Sequence, residues 1–152
     1  MLNILAPILL ALAPDPIILH FSNNSGIEKI GNRNVEFGAK ETLEEIMYTK
    51  GYQPVSDTAQ GMTVWADLES IESPQQIINI FGMKWLRKDY VVTTSMCIGS
   101  GCFQGKGIRR TYVFAMFLDV ENNEVPLNYK AYSKALQASF ENLTTFETKK
   151  QQ

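Results

Sequence analysis

Pro16-Ile17-Ile18-Leu19-His20-Phe21-Ser22-Asn23-Asn24-Ser25-Gly26 decides how this chain is read. Ile17 to Phe21 is a continuous apolar run, the pattern of a strand inside a sheet and covered on both faces. Ser22 to Gly26 is turn chemistry, because Asn and Gly tolerate left-handed backbone angles. A helix then carries the chain away and the next apolar run brings it back, the opening of an α/β unit. Ile27 to Arg33, with Gly31 and Asn32, reads as a loop.

The clearest helix follows. Ala39, Leu43, Ile46 and Met47 share one face at helical spacing, with Glu41, Glu44 and Glu45 on the others. Gly51 stands where a left-handed residue ends a helix, so the helix is predicted over Val35 to Lys50. Gln53 to Ser56 contains Pro54 and reads as an edge strand or irregular segment. Met62 to Ile71 alternates, with Met62, Val64, Ala66 and Leu68 on one face and Thr63, Trp65, Asp67 and Glu69 on the other.

Ser73-Pro74-Gln75-Gln76 has the form of a helix start, with Ser as cap and Pro at the first position. Two turns ending at Gly82 are predicted, a bulged strand being the alternative. Tyr90 to Ile98 and Arg109 to Val120 are strands, joined by the Gly-rich loop Gly99 to Gly107 as the wide tip of an antiparallel hairpin. Thr111 to Leu118 is apolar at nearly every position and is expected to be central. From Asn128 onward Tyr132, Leu136, Phe140 and Leu143 step by four or three, which favours a C-terminal helix. The fold class expected is α+β in two layers, a mixed and mostly antiparallel sheet of four or five strands against two helices. The chain divides into an apolar segment over 1–14, one domain over 15–146 and a polar tail over 147–152.

A chain of 152 residues is most simply one domain. A net charge of −2 argues against a nucleic-acid surface, which needs a basic excess. No apolar run approaches the roughly 20 residues of a membrane span. Met1 to Ala13 is apolar except for Asn3, and Ala11-Leu12-Ala13 has the form of a signal-peptidase site. No Lys or Arg precedes the run, and Pro14 follows the cut, so the same residues also fit an arm that docks on a partner. Leu2, Ile4, Leu5, Ile8 and Leu9 are its candidate contacts.

The two cysteines, Cys97 and Cys102, form a candidate hairpin disulfide if the chain is exported, and are two ordinary thiols if it is not. They are too few for a structural zinc site. His20, the single histidine, lies in an apolar strand without a nearby Cys or Asp, and is expected to be structural and hydrogen-bonded. Gly101 to Gly107 departs from a phosphate-binding loop in spacing and in the residue after Lys106. Its candidate role is recognition, through Phe103 and the basic residues Lys106, Arg109 and Arg110. Asp67 and Glu69 share a polar strand face, where solvent-facing charge is the default, and Trp65 and Trp85 are expected to pack. No cofactor, metal or catalytic residue is predicted.

The Phe21-to-Gly26 turn, and the helix finishing in Gly51-Tyr52 before an antiparallel meander, resemble the CsgG/TolB N-terminal type of domain. The strands Met62–Leu68, Tyr90–Ile98 and Arg109–Val120 are also similar to small envelope lipoproteins of the YajG type. The lipidated Cys common in those families is missing after the apolar segment, as are the long pore-forming insertions. The resemblance therefore implies a non-enzymatic binding or assembly module of the bacterial envelope, in the periplasm or outer envelope if residues 1–13 are a signal, where it could lie near a membrane. Its partners would be other protein subunits, including copies of itself. A structural subunit of a virion, such as a phage tail or neck, is the alternative.

Overall fold

A computed structural model describes residues 14–56, 60–115 and 124–150, with side chains as far as Leu143. The chain runs β1 (Asp15–Asn23), β2 (Lys29–Ile30), β3 (Arg33–Asn34), α1 (Val35–Thr49), β4 (Tyr52–Val55), β5 (Met62–Glu72), β6 (Gln75–Ile80), β7 (Met83–Ile98), β8 (Gly101–Phe114) and α2 (Tyr129–Lys150). This is an α+β fold, two helices against one mixed, mostly antiparallel sheet of six strands.

β1 lies between β4 and β5 and is parallel to both. Everything after it is antiparallel. β5 and β6 both pair with β7, along its second and first halves, and β8 pairs with nearly its whole length. Pro54 falls in β4, which ends the sheet on that side and needs no donor there.

Each helix is fixed at its start by an asparagine. Asn34 accepts from the Phe37 N–H at 2.8 Å, and Asn128 accepts from the N–H groups of Lys130 and Ala131 at 2.9 and 3.3 Å. The N–H of Asn128 in turn donates to the hydroxyl of buried Tyr90 at 2.8 Å, which ties the start of α2 to the sheet. At the other end of α1, Gly51 takes φ +89° and its carbonyl receives the Asp15 N–H, so the helix end leads the chain back beside β1.

Both helices cover one face. Ile17, Val64, Ala66, Leu68, Tyr90, Val92 and Met96 of the sheet meet Ala39, Leu43 and Met47 of α1 and Tyr132, Leu136, Phe140 and Leu143 of α2 in a single core. The alternation of β7 from Leu86 to Met96, buried at every second residue, records this one-sided covering.

Several expectations are corrected. β1 is not covered on both faces: Ile17 is fully buried, whereas Ile18 and His20 on the opposite face are half-buried. Ser73-Pro74 opens no helix. Residues 75–80 form β6, because Phe81 and Gly82, both at positive φ, make a two-residue turn into Met83 that pairs Ile80 with Met83. The Gly99–Gly107 loop contracts to a turn at Gly99-Ser100, since β8 begins at Gly101, and strand β7 starts at Met83, well before Tyr90. β8 lies at the sheet's edge and not its centre, with Ile108, Tyr112 and Val113 exposed; 116–120 lie outside the described residues. The segment 27–33 contains a small ladder, Lys29–Ile30 against Arg33–Asn34. Helix α2 runs to Lys150.

Candidate functional site

The face of the sheet away from the helices is where this chain displays its chemistry. Registers across β1, β5, β7 and β8 stack its residues in rows. In one row His20 stands beside Trp65, Trp65 beside Cys97, and Cys97 beside Cys102. Cys97 and Cys102 are joined as a disulfide across the β7–β8 hairpin, with Cα atoms 4.1 Å apart. The imidazole lies flat on the indole, ring centroids 4.1 Å apart and planes 19° from parallel. Trp65 is nonetheless 59% exposed, a large apolar ring held in solvent by a rigid strand.

The next row is polar. Ser22, Asp67, Ser95 and Gln104 are in register, and Asn24 donates to Asp67 Oδ2 at 2.5 Å. A bulge after Leu68 releases Glu69 from regular pairing, and Gln104 of β8 reaches it across β7 at 2.5 Å. Asp67 and Glu69 are therefore each engaged by a side-chain amide and do not converge on a shared site. Among the described residues no three His, Cys, Asp or Glu side chains gather as a metal cage.

Further along the same face Asp89 is bracketed by two guanidinium groups. Arg87 makes a paired contact with it, at 3.1 and 2.9 Å, and Arg110 lies 3.6 Å away. Beyond them the face becomes apolar, with Trp85 edge-on to Phe114 at 5.1 Å, next to Ile78, Ile80 and Met83.

The residues singled out from the sequence are thus distributed over both faces. Lys106 and Arg110 are on the open face and Arg109 on the opposite one, because odd and even residues of a strand diverge; the three form no single cluster. Phe103 turns inward and packs on the helix-covered core. Leu2, Ile4, Leu5, Ile8 and Leu9 lie outside the described residues. His20 was expected as a hydrogen-bonded core residue, and its described partner is instead the Trp65 ring. Trp65 itself does not pack into the interior. The pairing that unites these side chains is non-local, yet one local sign was present: Trp65 sits on the polar side of an alternating strand.

No protein-family profile matches the chain and no curated protein does, so the CsgG- and YajG-type resemblance has no family match behind it. Among solved structures, the chain is similar to a minor lipoprotein from Acinetobacter baumannii, at 11% identity and a TM-score of 0.43, with 90% of this chain and 89% of that one covered. It is also similar to a hypothetical protein from Chlamydia trachomatis, at 7% identity and a TM-score of 0.39, covering 91% and 95%. Among the described residues no helix is long and apolar enough to cross a membrane.

Proposed function

We propose that this chain is a non-enzymatic binding and assembly module of the bacterial envelope, of the CsgG/TolB N-terminal-like kind, acting through protein–protein contacts on the open face of its sheet. The observation that carries this is Trp65, 59% exposed and braced from one side by His20. Exposed, pre-oriented tryptophans are favoured anchors of protein interfaces, since a rigid ring loses little entropy when a partner covers it. The neighbouring Cys97–Cys102 disulfide supports an oxidising compartment, such as a periplasm. The open face also offers paired amides and carboxylates around Trp65, the polar rim that such an anchor requires.

The test is fractionation of the native source, with the intact mass and the co-purifying proteins read from the same preparation. The expected result is recovery in the envelope fraction, two hydrogens short of the reduced mass. A defined companion, or a second copy, should be retained by the native chain and lost with Trp65→Ser while the melting temperature holds. A cytosolic, fully reduced and monomeric protein, or a companion indifferent to Trp65→Ser, overturns the reading.

A further inference from the structure

The far end of the β6–β7 hairpin breaks a local rule. Phe81 and Gly82 form its two-residue turn, with φ +51° and +77°. Such a turn needs left-handed angles at both positions, which Asn-Gly supplies and a bulky side chain resists. Phe81 occupies the first position with 96% of its surface in solvent, so nothing in the fold compensates for it there. Backbone held in an unfavourable region by a side chain the fold does not use points to a use outside the fold.

The surroundings define that use. Ile80, Met83, Tyr112 and Phe114 are all exposed apolar residues on the open face of this end, continuous with Phe81 at its tip. Charge is segregated to the same end. Residues 74–90 and 108–115, with Glu124 beside the Val125 that Lys88 holds, carry five of the chain's 14 basic residues, Lys84, Arg87, Lys88, Arg109 and Arg110, and two of its 16 acidic ones, Asp89 and Glu124. The rest of the chain therefore has nine basic residues against fourteen acidic. Lys88 is buried and holds the Val125 carbonyl, Arg87 and Arg110 share Asp89, and Arg109 is on the other face, which leaves Lys84 as the cation nearest the apolar tip.

We infer that this hairpin is a membrane-surface anchor, which inserts Phe81 with Ile80 and Met83 into the boundary of an anionic bilayer while Lys84 meets lipid phosphates and the net positive charge behind it adds attraction. An apolar wedge backed by cations suits that boundary, where burial of the ring and attraction to anionic headgroups add. Tyr112, an exposed aromatic ring with a polar handle, stands in register with Arg87 on the same face, and such rings settle at a bilayer interface. The acidic remainder of the domain is repelled by the same surface and so keeps the hairpin as the end that approaches. This activity goes beyond the partner-binding reading of Trp65 and does not depend on it.

Co-sedimentation of the purified full chain with vesicles tests the inference, using phosphatidylcholine alone and phosphatidylcholine mixed with phosphatidylglycerol. The wild-type chain is expected to pellet with the anionic vesicles and progressively less as salt rises. Phe81→Asn is the decisive variant, because it installs the preferred turn pair: the melting temperature should hold or rise while binding weakens by about tenfold or more. It carries the same apolar N-terminal segment as the wild type, so the difference belongs to the hairpin. Lys84→Gln should reduce binding to anionic vesicles and leave the weak binding to neutral ones unchanged. Wild-type protein that stays in the supernatant with anionic vesicles, or Phe81→Asn protein that pellets as the wild type does, overturns the inference. So does retention on an acidic protein matrix that needs Lys84, is indifferent to Phe81 and has no vesicle counterpart.

Discussion

The carbonyl of Ala135 in α2 occupies the space where a side chain of Gly107 in β8 would begin. Gly105, two residues earlier on the same face, stands in the same relation to the carbonyl of Ser139. The helix thus lies directly on the backbone of the strand, and the contact is between main chains. Thr94, on the neighbouring strand and in register with Gly105, bonds the Ser139 hydroxyl at 3.2 Å beneath the helix.

Gly107→Ala should therefore destabilise the fold by about 3 kcal/mol, the upper part of the range for overpacking, because a backbone carbonyl cannot move aside as a side-chain tip can. Urea denaturation measures it through the midpoint. A midpoint equal to that of the wild type would show that α2 stands further from β8 than described.

Tyr132 is fully buried, and its hydroxyl finds no hydrogen-bond partner among the described residues. Burial raises its pKa above the ordinary tyrosine range, and Tyr129 adds to the effect. A group whose folded pKa is raised contributes stability that is present below its unfolded pKa and is lost as pH climbs from there toward the folded value. Stability should accordingly fall above about pH 10, where the unfolded chain ionises this phenol and the native chain does not. Tyr132→Phe should flatten that alkaline decline and, at neutral pH, stabilise by about 1 kcal/mol through removal of an unsatisfied hydroxyl. Melting curves at pH 7 and above pH 10 report both effects.

Tyr90 offers the opposite case. Its hydroxyl is buried and receives the N–H of Asn128, the residue that caps α2. Tyr90→Phe leaves that donor without its partner, and a loss of about 1–2 kcal/mol is expected. Hydrogen exchange at the first turn of α2 should accelerate with it. Unchanged exchange there would mean that the cap stands without the sheet.

The disulfide joins cross-strand neighbours in a tight hairpin, so the loop it closes is short. Chain-entropy arithmetic gives roughly 2 kcal/mol for such a loop. Reduction, or replacement of Cys97 and Cys102 by Ser, should lower the unfolding free energy by that amount, read from the shifted denaturation midpoint, without unfolding the domain. Complete loss of the fold would show that the bond does more than restrict the unfolded chain.

The elements set by local periodicity could be read from the residues alone: α1 with its terminal Gly51, the alternating β5, and the four-residue stepping of α2. What escaped was decided at a distance. Ser73-Pro74-Gln75-Gln76 has every local mark of a helix start, yet pairing with Met83–Lys88 makes a strand from Gln75 onward. The glycines of 101–107 suggest a flexible tip, whereas two of them are bare so that a helix can lie on them. The same limit hid the open face. Trp65 and His20 are far apart in sequence, and only the parallel register of β1 against β5 sets their rings together.

That register has a bearing on how the polypeptide acquires its form. β5 through β8 pair with near neighbours along the chain, whereas β1 must wait for α1 and β4 to loop back before it is enclosed on both sides. Contacts between distant segments close late, since they order much chain before any reward. Pulse-labelled amides of β7 and β8 should become protected before those of β1, and the slot between β4 and β5 would be the last part of the sheet to fill.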